Sequence, residues 1–250
     1  MAEPILELRG LSRRFGALRA VSEVSLAFAP GQVHAVIGPN GAGKSTLLNL
    51  LSGELRADAG SVHFRGQDVT RASPDQLSRL GLGRSFQTAT VLAGLTCEET
   101  LRLAAQSCLR SSMRFFRPAH RYPEILARAE RALDACRLGA RRASRATDLS
   151  YGEQRQLEIG MMLATAPQLL LLDEPLAGLG HDEALAVVDL LRAVAADHTL
   201  ILVEHDMDAV FSLASAVTVL VDGKVLETGT PKQIRGSAAV REAYLGEEEP

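Results

Sequence analysis

The run Gly38-Pro39-Asn40-Gly41-Ala42-Gly43-Lys44-Ser45-Thr46 gathers glycines, one lysine and paired hydroxyls in a single short stretch. It fits G-x-x-x-x-G-K-[ST], a loop whose backbone amides turn inward on phosphate oxygens. Glycines at 38, 41 and 43 allow the chain conformations that residues with a Cβ avoid. A helix opening at the end of the loop presents its positive end to the same anion. Lys44 would neutralise the β- and γ-phosphates, and Ser45 would offer its hydroxyl to Mg2+. The rival reading is a glycine-rich turn that happens to precede a lysine. A buried apolar strand at 33–37 leading in and a helical pattern at 46–52 leading out favour a nucleotide site.

A second cluster, Leu169-Leu170-Leu171-Leu172-Asp173-Glu174, sets two carboxylates at the end of an apolar run. In a parallel sheet the carboxyl end of such a strand opens on the same crevice as the phosphate loop. Asp173 would then hold Mg2+ through water, as a Walker B aspartate does. Glu174 would point to the other side of the chain and polarise an attacking water. Two acids at a strand end also suit a solvated loop or a helix cap; the phosphate loop favours the catalytic reading. Val203-Glu204-His205-Asp206 closes another apolar run in the same way. A lone histidine there is commonly structural, but its place at the same sheet edge points to the γ-phosphate.

Bringing these groups together requires strands that feed one edge. Apolar runs at 33–37, 169–172, 200–203 and 217–221 alternate with helical patterns at 45–52, 151–164, 182–196 and 206–214. That alternation predicts an α/β fold with a parallel sheet covered by helices. The patterns at 5–9, 24–28, 61–65 and 224–227 alternate polar with apolar residues, as half-exposed antiparallel strands do. Asp222-Gly223 suits a hairpin turn between the last two strands. From about 90 to 147 the chain reads as helical, with Leu101, Ala104, Ala105 and Cys108 on one face and Ile125, Ala129, Ala132 and Leu133 on another.

The composition sets limits. The chain has 250 residues, 46% hydrophobic and 23% charged, enough for a folded core rather than disorder. Three cysteines, Cys97, Cys108 and Cys136, are too few for a disulfide scaffold and lack metal-ligand spacing. No tryptophan, 4% aromatics and a net charge of −3 argue against a nucleic-acid partner. No apolar run approaches the roughly 20 residues of a membrane span. The start of the chain shows no signal peptide, so a cytoplasmic location is expected.

With these motifs in order, the chain resembles the ATP-binding subunits of ABC transporters nearly end to end. Leu149-Ser150-Tyr151-Gly152-Glu153-Gln154 resembles the family's signature sequence. The resemblance implies that Ser150, Tyr151, Gly152 and Glu153 contact the γ-phosphate held by an opposite subunit, with Ser150 also capping the helix. It implies that Gln87 is the Q-loop glutamine, sensing Mg2+ or the lytic water, and that His205 is the switch histidine. Phe15 falls where the family stacks an aromatic on adenine; the rival is a core phenylalanine. The implied architecture is a P-loop NTPase core at 1–89 and 161–250, with an N-terminal antiparallel β-subdomain, and a helical subdomain at 90–160. The implied ligands are ATP and Mg2+. The implied partners are a second ATPase subunit in a head-to-tail dimer, transmembrane permease subunits and an extracytoplasmic solute-binding protein, placing the chain on the inner face of the membrane.

Leu-Ser-Tyr-Gly at 149–152, Leu-Glu-Ile-Gly at 157–160, Val-Glu-His-Asp-Met at 203–207 and Ala-Tyr-Leu-Gly at 243–246 resemble the branched-chain amino-acid and urea importers. An exporter ATPase, such as that of lipopolysaccharide transport, and an ABC ATPase without a membrane partner are the alternatives. Two departures stand out. Glu153 takes the place of the signature glutamine, adding a carboxylate near a polyanion. Gly180 stands where the D-loop usually ends in Asp or Asn, with His181 in place of proline. The arginine-rich stretch 110–121 has three readings: a surface loop, a contact with the membrane partner or its lipids, and, least favoured, nucleic acid.

Overall fold

The computed structural model describes residues 3–85, 92, 94–107 and 122–245. Gln87, Cys108 and the stretch 110–121 lie outside the described residues.

Two sheets organise the chain. A four-stranded antiparallel sheet has the order β2 (Leu18–Phe28), β1 (Leu6–Phe15), β4 (Ala59–Phe64), β5 (Gln67–Asp68). A six-stranded sheet has the order β10 (Lys224–Gly229), β9 (Ala216–Val221), β3 (Val33–Ile37), β8 (Thr199–Val203), β7 (Leu169–Asp173), β6 (Leu82–Arg84). Within it β9, β3, β8, β7 and β6 run parallel, and only β10 is antiparallel to its neighbour. The mixed α/β architecture expected from the apolar runs is therefore present. Strands read as 5–9 and 24–28 extend further, to Phe15 and back to Leu18, forming one long irregular hairpin. Arginines at 13, 14 and 19 hide that extension from a hydrophobicity pattern.

The four-leucine run of β7 is buried on both faces. Leu169 and Leu171 pack into the core under the antiparallel sheet, with Leu8, Phe28 and Phe64. Leu170 and Leu172 pack into a second core with the helices. Strand β8 divides the same way, Ile201 and Val203 to the first core and Leu200 and Leu202 to the second. A strand between two covered faces has no polar side, which explains its continuous apolar sequence.

The second core joins the sheet to α3 (Cys97–Gln106), α4 (Pro123–Ala135), α5 (Tyr151–Ala164) and α6 (His181–Val194). Leu101, Ala105, Ile125, Ala129, Ala132 and Leu133 are buried there as their spacing predicts. Gly160 lets α5 approach closely: a Cβ there would lie 2.9 Å from the Cys136 Sγ. Cys97 and Cys136 are buried free thiols, and burial pushes Cys136 up to about 12. Thr96 and Ser150 open α3 and α5 with capping boxes closed by Glu99 and Glu153. Helices α1 (Lys44–Leu51), α2 (Pro74–Leu80), α7 (Met207–Leu213), α8 (Pro231–Gly236) and α9 (Ala238–Leu245) complete the fold.

Candidate functional site

The phosphate loop joins β3 to α1, and two of its three glycines, Gly38 and Gly43, sit where a side chain has no room. Gly38 has φ +150°, and a Cβ there would lie 2.1 Å from the Leu220 carbonyl oxygen. Gly43 has φ +95°, with the Ala20 carbonyl oxygen 2.1 Å from the same position. The Asp222-Gly223 turn, with φ +49° and +74°, closes the β9–β10 hairpin as predicted. It also braces the loop: the Gly223 amide donates to the Ala42 carbonyl at 3.1 Å, and the Ser22 amide to the Gly223 carbonyl at 2.8 Å. Lys44 Nζ donates to the carbonyls of Gly38 and Pro39, at 2.5 and 2.9 Å, so its ammonium lies curled over the loop.

Because β3, β8, β7 and β6 are parallel neighbours, their carboxyl ends form one edge. Asp173 ends β7 and is buried beside Ser45 and Lys44 of the phosphate loop. Burial raises its pKa; the charge of Arg84 opposes that shift, Glu174 adds to it, and Lys44 and the Ser45 hydroxyl oppose it. Asp173 Oδ1 is buried without a hydrogen-bond partner. Such an orphaned carboxylate oxygen beside a hydroxyl fits Mg2+, which takes one or two protein oxygens, substrate phosphates and waters. No cluster of three or more His, Cys, Asp or Glu suited to a metal exists among the described residues.

Glu174 follows in the left-handed region, φ +47°, its amide donating to the Val203 carbonyl at 2.9 Å. That turn leaves it half-buried at the rim while Asp173 faces inward. Just beyond the end of β8, His205 is 70% exposed at the same edge. Its predecessor Glu204 is fully buried and accepts from the Leu176 amide at 2.7 Å and the His205 amide at 3.1 Å. Burial raises the Glu204 pKa against those amides. Glu204 thus ties the histidine loop to the loop that follows Glu174, a role that no spacing in the sequence reveals.

Arg84 is a second residue that sequence reasoning missed. It ends β6, donates to the Leu48 carbonyl at 3.3 Å and bonds the side chains of Asn49 on α1 and of Ser52 at its C-cap. Its guanidinium lies 3.8 Å from Asp173 Oδ2. One half-buried cation therefore joins the phosphate-loop helix to the acidic strand end.

Ser150, Tyr151, Gly152 and Glu153 open α5 against the first turn of α6. The Ser150 hydroxyl accepts from the Glu153 amide, and the Glu153 carboxylate returns to the Ser150 amide at 2.9 Å. Arg141 Nε also donates to Glu153 at 2.8 Å. Burial alone would raise Glu153, but the Ser150 amide and Arg141 together hold it below the ordinary value. Tyr151 covers Gly178, whose Cβ position lies 3.3 Å from the Tyr151 Cε1.

A family described as "ABC transporter" matches residues 21–177. The chain belongs to that family. It acts as an ATP-hydrolysing subunit, with ATPase activity coupled to transport. The C-terminal residues 224–250 match a second description, "Branched-chain amino acid ATP-binding cassette transporter". The branched-chain amino acid transport ATP-binding protein LivG of Escherichia coli is 36% identical over 256 residues, covering 99% of this chain and 100% of the relative. BraF of Pseudomonas aeruginosa is 37% identical over 254 residues, with the same coverage. Among solved structures, the ADP conformation of an ABC transporter's ATP-binding cassette superposes with a TM-score of 0.87, at 30% identity, over 98% of this chain and 100% of that one.

Within the ABC frame the two departures acquire physical form. Glu153 is turned back on its own helix and Arg141, so its charge is compensated within the chain. Gly180 leaves α6 without a side-chain N-cap. Phe15 is 44% exposed at the end of β1, with the Arg13 guanidinium 5.0 Å from its ring centroid, which discards the core reading. Among the described residues no helix is long and apolar enough to cross a membrane.

Proposed function

We propose that this chain powers an importer of branched-chain amino acids, docked on the cytoplasmic side of membrane-embedded permease subunits and fed by a solute-binding protein. What carries the cargo is the end-to-end likeness to LivG and BraF, including the C-terminal segment. We assign 1–89 and 161–250 to the nucleotide-binding core and 90–160 to the helical subdomain, a division supported by the packing of α3, α4 and α5 on one another.

In this reading residues 38–46 enclose the phosphates of ATP, Lys44 leaves its loop carbonyls for the β- and γ-oxygens, and Phe15 stacks on adenine. Ser45 and Asp173 would hold Mg2+, which when bound would neutralise phosphate charge. Glu174 polarises the attacking water, and His205 reaches the γ-phosphate from the neighbouring strand end. Gln87 belongs to the same group by its place after β6, though it lies outside the described residues. The site is completed across a head-to-tail dimer by Ser150, Tyr151, Gly152 and Glu153 of the opposite subunit. An apolar groove of about 520 Å³ between the core and the helices, lined by Leu82, Gly83, Ala104, Met161 and Met162, is the surface we assign to the permease.

Purification of the tagged chain from its own cells in mild detergent tests the reading. Multi-span membrane proteins should remain bound, and ATP hydrolysis by the reconstituted complex should rise with leucine and its binding protein. Recovery with soluble partners alone overturns the transport role while leaving the ATP site in place.

A further inference from the structure

The N-terminus of α5 already holds an anion, and it comes from the same chain. Glu183, on the first turn of α6, accepts from the Ser150 hydroxyl and from the Gly152 amide, each at 3.0 Å through Oε1. Its other oxygen accepts from the Gly180 amide at 3.4 Å. The fit is close: a Cβ on Gly152 would fall 2.8 Å from Cβ and 2.9 Å from Cγ and Cδ of Glu183. No group fits between them. The Gly152 and Ser150 donors, together with Gly180, hold the carboxyl below the usual carboxylate range, so it sits there ionised.

Resting on the composite-site reading above, we infer that Glu183 is a placeholder for the γ-phosphate of the partner-bound ATP and sets the nucleotide concentration at which the dimer closes. The Ser150 hydroxyl and the Gly152 amide are the two donors assigned to that phosphate, and both are engaged. A phosphate approaching them meets a like charge at contact distance and must displace it. The displaced carboxylate has somewhere to go. Glu183 is at the N3 position of α6, and with Gly180 supplying no side-chain cap it can swing fully onto the Gly180 amide as a capping acid. The glycine at the D-loop end, which departs from the family pattern, thus becomes the alternative seat that makes the exchange reversible. Tyr151 packed on Gly178 keeps the two segments in register during the exchange.

The test is Mg2+-ATP-driven pairing of the full chain, followed by light scattering. Glu174→Gln, which retains shape but cannot polarise water, serves as the parent so that hydrolysis does not undo the complex. Adding Glu183→Ala vacates the seat and should lower the ATP concentration for half-maximal pairing about tenfold, the weight of a charge-assisted hydrogen bond. Adding Glu183→Gln keeps the acceptor shape and the helix cap but removes the charge, and should lower it by a smaller factor. Pairing only in the Glu183 variants supports the inference most strongly. Equal midpoints in parent and variants overturn the role of Glu183 and leave the composite site standing. A higher midpoint in the variants also overturns it, making Glu183 a support of the closed dimer. If parent and variants alike bind ATP yet never pair, the composite site itself falls and the inference with it.

Discussion

Two helices of this chain are assigned to phosphate, and their N-termini are prepared in opposite ways. Helix α1 begins after Gly43 with no side-chain cap and no acidic residue in its first turn. Helix α5 begins with the Ser150 cap, Glu153 in its first turn and Glu183 laid across from α6. The first four amides of any helix lack partners within it and carry the positive end of its dipole. At α1 no side-chain cap covers those amides, and the loop before them has its shape fixed by neighbouring carbonyls. At α5 the amides of Ser150, Gly152 and Glu153 are satisfied internally. The first is a permanent seat and the second a conditional one, which fits a subunit that holds its own nucleotide alone and its partner's only on closure.

The comparison breaks most visibly at the glycines. Gly43→Ala would force a Cβ into the left-handed region, 2.1 Å from a backbone oxygen that cannot retreat. The expected cost is about 4 kcal/mol, a fall of roughly 10 °C in melting temperature. Gly152→Ala meets only the Glu183 side chain, which can swing aside. Alanine also favours a helix over glycine by up to about 1 kcal/mol, so its melting temperature should hardly move. Equal losses at the two positions would erase the distinction between a rigid and a yielding seat.

Binding separates the seats next. Lys44→Ala should weaken ATP binding to the isolated chain about a hundredfold, near 3 kcal/mol, since it removes the cation from the phosphates. Ser150→Ala should leave that affinity within about twofold, because its phosphate belongs to the partner. Fluorescent ATP titrations of both variants check this; a large Ser150 effect in the isolated chain would place both seats on one nucleotide.

A third prediction concerns the strand that carries the permanent seat. His34 on β3 is buried, its Nε2 2.8 Å from the Thr218 hydroxyl and its ring against Phe28. Burial lowers its pKa from 6.5 to about 4. Above the unfolded value the ring is neutral in both states and costs nothing. As pH falls below it, the unfolded chain takes up a proton that the folded one refuses, and stability is lost down to the folded value. Between neutral pH and about pH 5 that amounts to about 2 kcal/mol. Urea midpoints of His34→Gln should lose this part of the acid slope; an unchanged slope would show His34 is not its source.

The sequence made some of this legible and concealed the rest for physical reasons. The phosphate loop is contiguous, so its residues and geometry could be read together, and β3, β7, β8 and β9 announce themselves as apolar runs. The opening of α2 went unread, although Pro74 stands in its first turn and the Gln76 side chain accepts from the Ser73 amide. The three residues of β6 carry too short a pattern to be seen. Glu183, Glu204 and Arg84 act through partners 28 or more residues away, and no local spacing encodes such contacts. A conditional seat is harder to read than a permanent one because half of it comes from another helix.

The smallest effect lies at the opposite end of the nucleotide. Phe15 offers an exposed face with the Arg13 guanidinium over its ring. An aromatic stacked on a base contributes about 1 kcal/mol or somewhat more. Phe15→Ala should therefore weaken ATP binding about fivefold, while Phe15→Tyr keeps it. The discriminating measurement is inorganic triphosphate, which has no base. Its affinity should be untouched by Phe15→Ala and reduced by Lys44→Ala as strongly as that of ATP. If triphosphate weakens along with ATP in the Phe15 variant, the ring acts by shaping the phosphate loop, and the permanent seat extends further along β1 than its glycines indicate.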